Sequence, residues 1–509
     1  MNPRYNAVIF TSQTAANYSL VFVTRPFLTG APFSNATTNN QGRMTRLDLL
    51  ALQDRARQNT LVNLTATDCL GQFAGVFESD FQSVLLVTDV DSPNSALVQT
   101  ARASTSFSRF RTIADSLAVV ADIDARSVQF CLAQPADARA CRVSLNGSLL
   151  GIVSLLNLAS VVCVAVVLFR PSFDPLVSLG DALRSFLRRP DPTTTDSCLL
   201  TKIDVWQGRW GFREPKYWIP HDLFWLRVPS FPRWCVVVFL WAALVALAAT
   251  GLAFSVSADP TGRLSAFGAA SSRTMFLLPS STPASGAALL ASLPQLVLGA
   301  LYLSTNSLVS AYYLSHESSL FALGEPRPLR VSSRPEGQQI TSLFLTLPRP
   351  WSWFLAILFA AMAFVLSQSI FVVSIRLVDS ASTTTTTASS SSAPSTSLVA
   401  LGLSGTALLI LLSLLLLLLI AVAAPAFRRA PPATLANGLA VGNPLAMPGG
   451  SCSAVLSARC HPSTRERADR PWRRALVWGV VRGAAGMEAG HCAYSAVGAT
   501  QLDVASSYV

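Results

Sequence analysis

Five stretches of the chain are long, apolar and free of Asp, Glu, Lys, Arg and His: Leu149–Phe169, Trp234–Phe254, Gly286–Leu314, Trp351–Ile375 and Leu398–Ala424. Each holds at least 21 residues. As a helix rising ~1.5 Å per residue, each is long enough for a hydrocarbon core of ~30 Å. One such run could be the buried helix of a soluble protein; five in one chain point to a bilayer. Trp234, Trp351 and Trp353 stand at run ends, where interfacial aromatics sit. The expected fold class is an α-helical polytopic membrane protein, with a small α/β domain at its N-terminus.

Only 13% of the 509 residues are charged, against ~25% in a soluble domain. The net charge of +11 is carried almost wholly by arginine, since Lys202 and Lys216 are the only lysines. The basic residues flank the apolar runs, so they read as topology signals, and nucleic acid is not an expected partner. Ten Lys and Arg fall in 170–233, four in 315–350 and nine in 425–509, against two in 255–285 and one in 376–397. Basic and poor loops therefore alternate, which places the two basic loops and the tail in the cytosol. Segments 1–148, 255–285 and 376–397 fall on the lumenal or extracellular side. The spans between them are 149–169, 234–254, 286–314, 351–375 and 398–424.

N-x-S/T triplets begin at Asn17, Asn35, Asn63 and Asn146, all before the first span. Asn17, Asn35 and Asn63 are the candidate glycosylation sites; Asn146 lies too near the membrane. The loop 376–397 contains a Ser/Thr tract ending in Pro394, a composition that is often O-glycosylated. Within 1–148, Gln82–Val87 and Ser116–Val120 read as strands. Met44–Arg57 reads as a helix with Leu47, Leu50 and Ala51 on one face. Cys131 and Cys141 could close a short disulfide loop in this oxidising compartment, leaving Cys69 odd. A lumenal domain needs a translocation signal, yet Ala7-Val8-Ile9-Phe10 is too short for a signal-peptide core. Either the orientation is reversed or membrane helices precede this chain.

A series of motifs resembles a known family. They include Tyr5-Asn-Ala-Val-Ile-Phe-Thr-Ser, Asn17-Tyr-Ser-Leu-Val-Phe-Val, Ser83-Val-Leu-Leu-Val-Thr-Asp89 and Leu176-Val-Ser-Leu-Gly-Asp-Ala-Leu-Arg-Ser-Phe-Leu-Arg-Arg-Pro-Asp-Pro-Thr-Thr194. Cys198-Leu-Leu-Thr-Lys-Ile-Asp204, Cys452-Ser-Ala-Val-Leu-Ser-Ala-Arg-Cys-His-Pro462 and Gly490-His-Cys492 continue the series. They are similar to a fungal-specific multi-pass membrane family known only as a domain of unknown function (number 6536). The resemblance implies a fungal source and further membrane helices before the Tyr5 motif. It implies no activity.

Catalytic motifs are missing: there is no phosphate-binding Gly-x-x-x-x-Gly-Lys, no Gly-x-Ser-x-Gly, and His316-Glu317 lacks a second histidine at 320. Asp89-Val-Asp91 and Asp122-Ile-Asp124 could hold a nucleotide-sugar metal, or simply be solvated turns after strands. Gln295, Gly299, Tyr302, Asn306 and Tyr313 share one face of the third span. That face reads as helix–helix contact or as the lining of a polar path, with Gln368 on the fourth span as its partner. Cys452, Cys460, His461, His491 and Cys492 gather in the tail. Their spacing lacks the tight knuckle of a zinc site, so acylation and a motif docking on the chain's own cytosolic loops, or on a protein partner, are weighed beside metal. No cofactor and no catalytic residue is expected. The reading is an integral protein of the plasma membrane or a secretory-pathway membrane, with the bilayer and an unknown cytosolic protein as partners. It is first a sensor or scaffold, next a transporter or channel, and third a lumenal metal-dependent transferase.

Overall fold

The computed structural model describes residues 19–32, 46–65, 81–88, 97–102, 128–135, 147–169, 176–209, 215–220, 222–258, 264–269, 274–279, 284–342, 347–376, 397–434, 439–482, 489–504 and 506–509. The chain divides into two compact units. One comprises Met1–Val143, Ala246–Gln295 and Phe364–Leu412; the other Ser144–Val245, Leu296–Ala363 and Ser413–Val509.

In the first unit the N-terminal region is a sheet with helices, the expected α/β arrangement. Its elements are β1 (Ser19–Thr24), α1 (Arg25–Leu28), α2 (Arg46–Arg57), β2 (Val62–Thr65), β3 (Phe81–Thr88), β4 (Leu97–Arg102) and β5 (Val128–Pro135). The strand order is β2-β5-β3-β1-β4, with β1 and β3 parallel and the other pairs antiparallel. A parallel pair cannot be joined by a tight turn, and the chain between β1 and β3 carries α2 and β2. Val23, Leu85 and Val87 of the sheet bury against Phe27, Leu49, Leu52 and Ala56 of the helices. Gln53 Nε2 closes the helical layer by donating to Phe27 O and Ala31 O, both at 3.0 Å. The expected strand Gln82–Val87 lies inside β3, and α2 matches Met44–Arg57 over its described residues. The segment Ser116–Val120 lies outside the described residues. Cys131 of β5 is buried and disulfide-bonded; Cys69 and Cys141 lie outside the described residues.

Five helices are long and apolar enough to cross a membrane. They are α3 (Gly147–Leu168), α4 (Phe231–Ala258), α5 (Ala284–Leu320), α6 (Arg349–Ser369) and α7 (Gly405–Ala426). Two expected spans need correction. The run Trp351–Ile375 is helical only to Ser369, and Leu398–Ala424 becomes helical only at Gly405. The remainders are β7 (Ile370–Arg376) and β8 (Ser397–Leu403), paired antiparallel, with β6 (Met275–Leu277) added to β8. Hydropathy cannot separate a buried strand from a helix, and β7 is rich in β-branched residues, which favour strands. Ser404, between β8 and α7, fastens a neighbouring loop: its hydroxyl donates to Ala266 O and accepts from Gly268 N. Helix α3 buries no side chain among its most apolar residues.

In the second unit, three segments far apart in sequence build one further domain around a common core. The first segment supplies a helix, Leu179–Arg188, which buries Leu179, Leu183 and Leu187. Its N-terminus is a capping box: Asp181 N binds Ser178 Oγ, and Asp181 Oδ2 accepts from Ser178 N at 2.9 Å. Asp181 Oδ1 also accepts from Ser332 N at 2.9 Å, which ties the helix to the second segment. Gly180 lies against the Arg330 backbone, where a Cβ would come within 2.1 Å of Arg330 O. The second segment begins on α5, which runs beyond the expected boundary at Leu314 to Leu320 and carries Glu317 to Arg330 at 2.7 Å. The tail, as third segment, supplies β9 (Val477–Arg482) and β10 (His491–Ser495), an antiparallel pair. Phe321, Leu329 and Val331 of the second segment pack with Leu476, Trp478 and Tyr494 of the tail. Glu336 joins all three, pairing with Arg184 at 2.6 Å and with Arg473 at 2.8 Å.

Candidate functional site

The domain made from loops and tail holds a cavity of about 690 Å³. One wall is the short helix Lys202–Trp206, whose N-terminus Thr201 and Asp204 fix as a second capping box. Asp204 Oδ2 accepts from Thr201 N at 3.0 Å and from Lys216 Nζ at 2.8 Å. Burial raises the Asp204 pKa, but the Lys216 and Thr201 hydrogen bonds outweigh it and hold the group below the usual carboxylate range. Lys216 is itself placed by backbone pairing of Lys216–Tyr217 with Ser507–Tyr508 near the end of the chain. The opposite wall is the turn Met447–Gly450. Gly449 and Gly450 have φ of 74° and 91°, a conformation that favours glycine. This turn receives Lys202 Nζ on Gly449 O at 3.1 Å, and Gly449 N donates to Arg227 O at 2.9 Å.

Arg459 also lines the cavity and is only 6% exposed. Its Nε and Nη1 find no hydrogen-bond partner. The groups whose fields reach it are Tyr494, Cys460, Cys198 and Cys452. Burial pushes the Cys460 thiol and the Tyr494 phenol up, so both stay neutral. Cys198 and Cys492 form a buried thiol pair. The hydrogen bond between them lowers the Cys198 pKa against the effect of burial, while burial and that same contact raise Cys492. The cavity therefore joins apolar walls, including Trp218, Leu223 and Val455, to Lys202, Arg227 and Arg459. Among the described residues, none of these three cations has a carboxylate partner.

The tail residues singled out from sequence are dispersed through this core. Cys460 and Cys492 are buried. His461 Nε2 lies 3.1 Å from Thr194 Oγ1, and burial, with the nearby His491, lowers its pKa. His491 lies between Val509 O at 2.7 Å and His461 O at 3.1 Å. Cys452 is half-buried, with a free thiol. Among the described residues no three His, Cys, Asp or Glu side chains gather as metal ligands.

The polar stripe of α5 runs beside the packed face rather than on it. Leu298, Leu301, Thr305, Leu308 and Tyr312 are buried, whereas Gln295, Tyr302, Asn306 and Tyr313 are half-buried and Gly299 is exposed, with open space where a Cβ would stand. Tyr302 meets Phe359 edge-on at 5.1 Å. Gln368 lies against Gly268 and donates weakly to Ser367 Oγ at 3.4 Å. Asn63 is exposed on β2, an edge strand. Asn17, Asn35, Asp89, Asp91, Asp122 and Asp124 lie outside the described residues.

Sequence reasoning did not single out Arg459, Arg227 or Lys202 as a group. One signal was available: the only two lysines of this arginine-rich chain, Lys202 and Lys216, both line the cavity.

A family model described as a domain of unknown function, DUF8419, matches residues 213–498. The match takes in α4 to α7 and much of the loop-and-tail domain. It carries a different number from the family that the motifs of the first subsection resemble, and the match gives neither a fungal source nor upstream helices. No curated protein and no solved structure matches the chain.

Proposed function

The chain belongs to the DUF8419 family, a domain of unknown function, and we propose that it is a polytopic membrane sensor or scaffold. Its five long helices cross the bilayer, with 170–233, 315–350 and 425–509 in the cytosol and 1–148, 255–285 and 376–397 outside. The observation that carries this reading is how the loops group. The three basic segments share one core, while β6 of the outer loop 255–285 pairs with β8, the strand that follows the outer loop 376–397, and β8 pairs with β7, the strand that precedes it. Charge bias and packing are independent, and they sort the segments alike. A folded cytosolic domain with a cavity, assembled from loops that membrane helices deliver, suits a receptor for an internal ligand. The helices carry no carboxylate within their apolar runs, which fits a sensor better than an ion-coupled transporter.

Two measurements test it. A tag after Val509 should be labelled only in permeabilised cells; labelling at the surface overturns the orientation. Purified protein in liposomes should leave potassium and proton leakage at the level of empty vesicles; protein-dependent flux overturns the sensor reading in favour of a channel or transporter.

A further inference from the structure

Moving a guanidinium out of water costs several kcal/mol even after relaxation. Folds keep such a group where an anion compensates it. Arg459 has no such anion in the described structure: its neighbours are thiols and a phenol, and its Nε and Nη1 are unpartnered. The two carboxylates of the cavity wall are committed elsewhere, Asp204 to Lys216 and Asp222 to Arg429 at 3.7 Å. Lys202 and Arg227 add positive charge at the same cavity. Two of these three cations are guanidinium forks, which match the oxygens of a phosphoryl group better than they match a spherical halide. The volume of about 690 Å³ leaves room for a body attached to the phosphoryl group, and the apolar walls suit one that is not itself charged.

We infer that this cavity binds a phosphoryl-bearing ligand, with Arg459 in the wall and Lys202 and Arg227 beside it. The phosphoryl group belongs to a phosphorylated lipid headgroup or to a small soluble phosphate. Arg227 stands four residues before Phe231, the first residue of α4, which brings this part of the wall near the start of a membrane helix. The inference supplies the ligand class for the sensor reading and rests on that reading only for the side of the membrane.

The test uses the full chain in non-ionic detergent, where sidedness does not matter. Thermal melts are recorded with inorganic phosphate, with short-chain phosphatidylinositol 4-phosphate, and with short-chain phosphatidylcholine as control. Saturable stabilisation by phosphate or by the phosphoinositide, but not by phosphatidylcholine, is expected. A response to the phosphoinositide alone assigns the site to a headgroup; an equal response to phosphate assigns it to a soluble ligand. Lys202→Gln with Arg227→Gln should weaken binding about tenfold or more, as loss of charge-assisted hydrogen bonds does, while the unliganded protein, short of the Lys202–Gly449 O bond, still melts cooperatively. Arg459→Met should abolish the response and leave the unliganded melt equal or higher, because a buried unpaired charge is gone. If that variant does not fold, the Lys202/Arg227 pair carries the test alone. No stabilisation by either phosphate probe overturns the site. So does a melt lowered by Cys198→Ser together with silence to phosphate, which would make a Cys198 thiolate the counter-ion. Failure here leaves the topology standing, and surface labelling of the C-terminal tag would leave the site standing.

Discussion

The N-terminal sheet and the loop-and-tail domain are both folded, but they are held together in opposite ways. The sheet comes from one continuous stretch, has a parallel pair at its heart and is stapled through Cys131. The second domain comes from three stretches. Ser178 Oγ bonds Arg330 O across 152 residues, and Thr194 Oγ1 bonds Ser457 Oγ across 263. Closing loops of that length costs conformational entropy, and its described cysteines are all free. The chain between the segments runs largely through the long helices α4 and α5, then α6 and α7, rather than through open loop. The sheet should therefore depend on its own chain and its disulfide, and the second domain on every segment at once.

The largest expected effect comes from a charge placed in each core. Leu183→Asp should cost ~4 kcal/mol or more, as a buried unpaired carboxylate does. Because Leu183 packs within a core shared by three segments, limited proteolysis should then cut in 176–209, 315–342 and 439–509 together. Leu85→Asp should open only the N-terminal region. Independent cutting of the three segments in the Leu183 variant would show that they are not one cooperative domain.

Next comes the disulfide. Cys131→Ser should cost ~2–5 kcal/mol, the usual loss for a native bridge, and reductant should mimic it. Both should change proteolysis of residues 1–143 while the unit containing Cys198, Cys460 and Cys492 keeps its resistance. Equal sensitivity of the two units to reductant would contradict the contrast.

The five long apolar helices were legible in sequence because hydropathy integrates over about twenty residues and tolerates local errors. Its failures at Ile370–Arg376 and Ser397–Leu403 have one cause, since a run of Val, Ile and Leu has no period that separates strand from helix. The strand Gln82–Val87 was readable because the stretch Phe81–Thr88 is apolar and β-branched. The cavity was not legible. Lys202 and Arg227 lie on the first segment and Arg459 on the tail, and nothing local in sequence relates Arg227 to Arg459. The tail cysteines and histidines drew attention as a metal cluster because they are rare. In the structure the Cys460 and Cys492 thiols are buried, His491 lies between two backbone carbonyls and His461 contacts the Thr194 hydroxyl.

A smaller effect should come from acid. Burial raises the Asp181 pKa, but hydrogen bonds from Ser178 and Ser332 outweigh it and leave the folded value below 3.8. A depressed folded pKa means that the stabilisation is present above the unfolded value and is lost as pH falls through the folded one. The melt of the loop-and-tail domain should therefore weaken as pH drops below 3.8. Asp181→Asn should flatten this response at a cost of ~1 kcal/mol at neutral pH, in the range of a lost helix cap. An unchanged acid limb in the variant would remove Asp181 from the account.

The smallest effect is expected at Asn306. The amide stripe of α5 suggests helix–helix contact, for which an interhelical hydrogen bond contributes ~0.6–2 kcal/mol. In the structure the packed face is the neighbouring one, with Leu301, Leu308 and Tyr312 fully buried, while Asn306 is half-buried and Gly299 has open space around it. Asn306→Leu should then change the melt in detergent by less than ~0.6 kcal/mol. Leu308→Ala, on the packed face, should cost ~2–3 kcal/mol through the cavity it leaves. A loss at Asn306 as large as at Leu308 would mean that the stripe is covered in the assembled protein. Cross-linking through a cysteine placed at Gly299 would then show whether the cover is a second copy of the chain. If stability holds while ion leakage through liposomes changes in the Asn306 variant, the stripe lines a polar path, and the contrast between the two domains gives way to a transporter's logic.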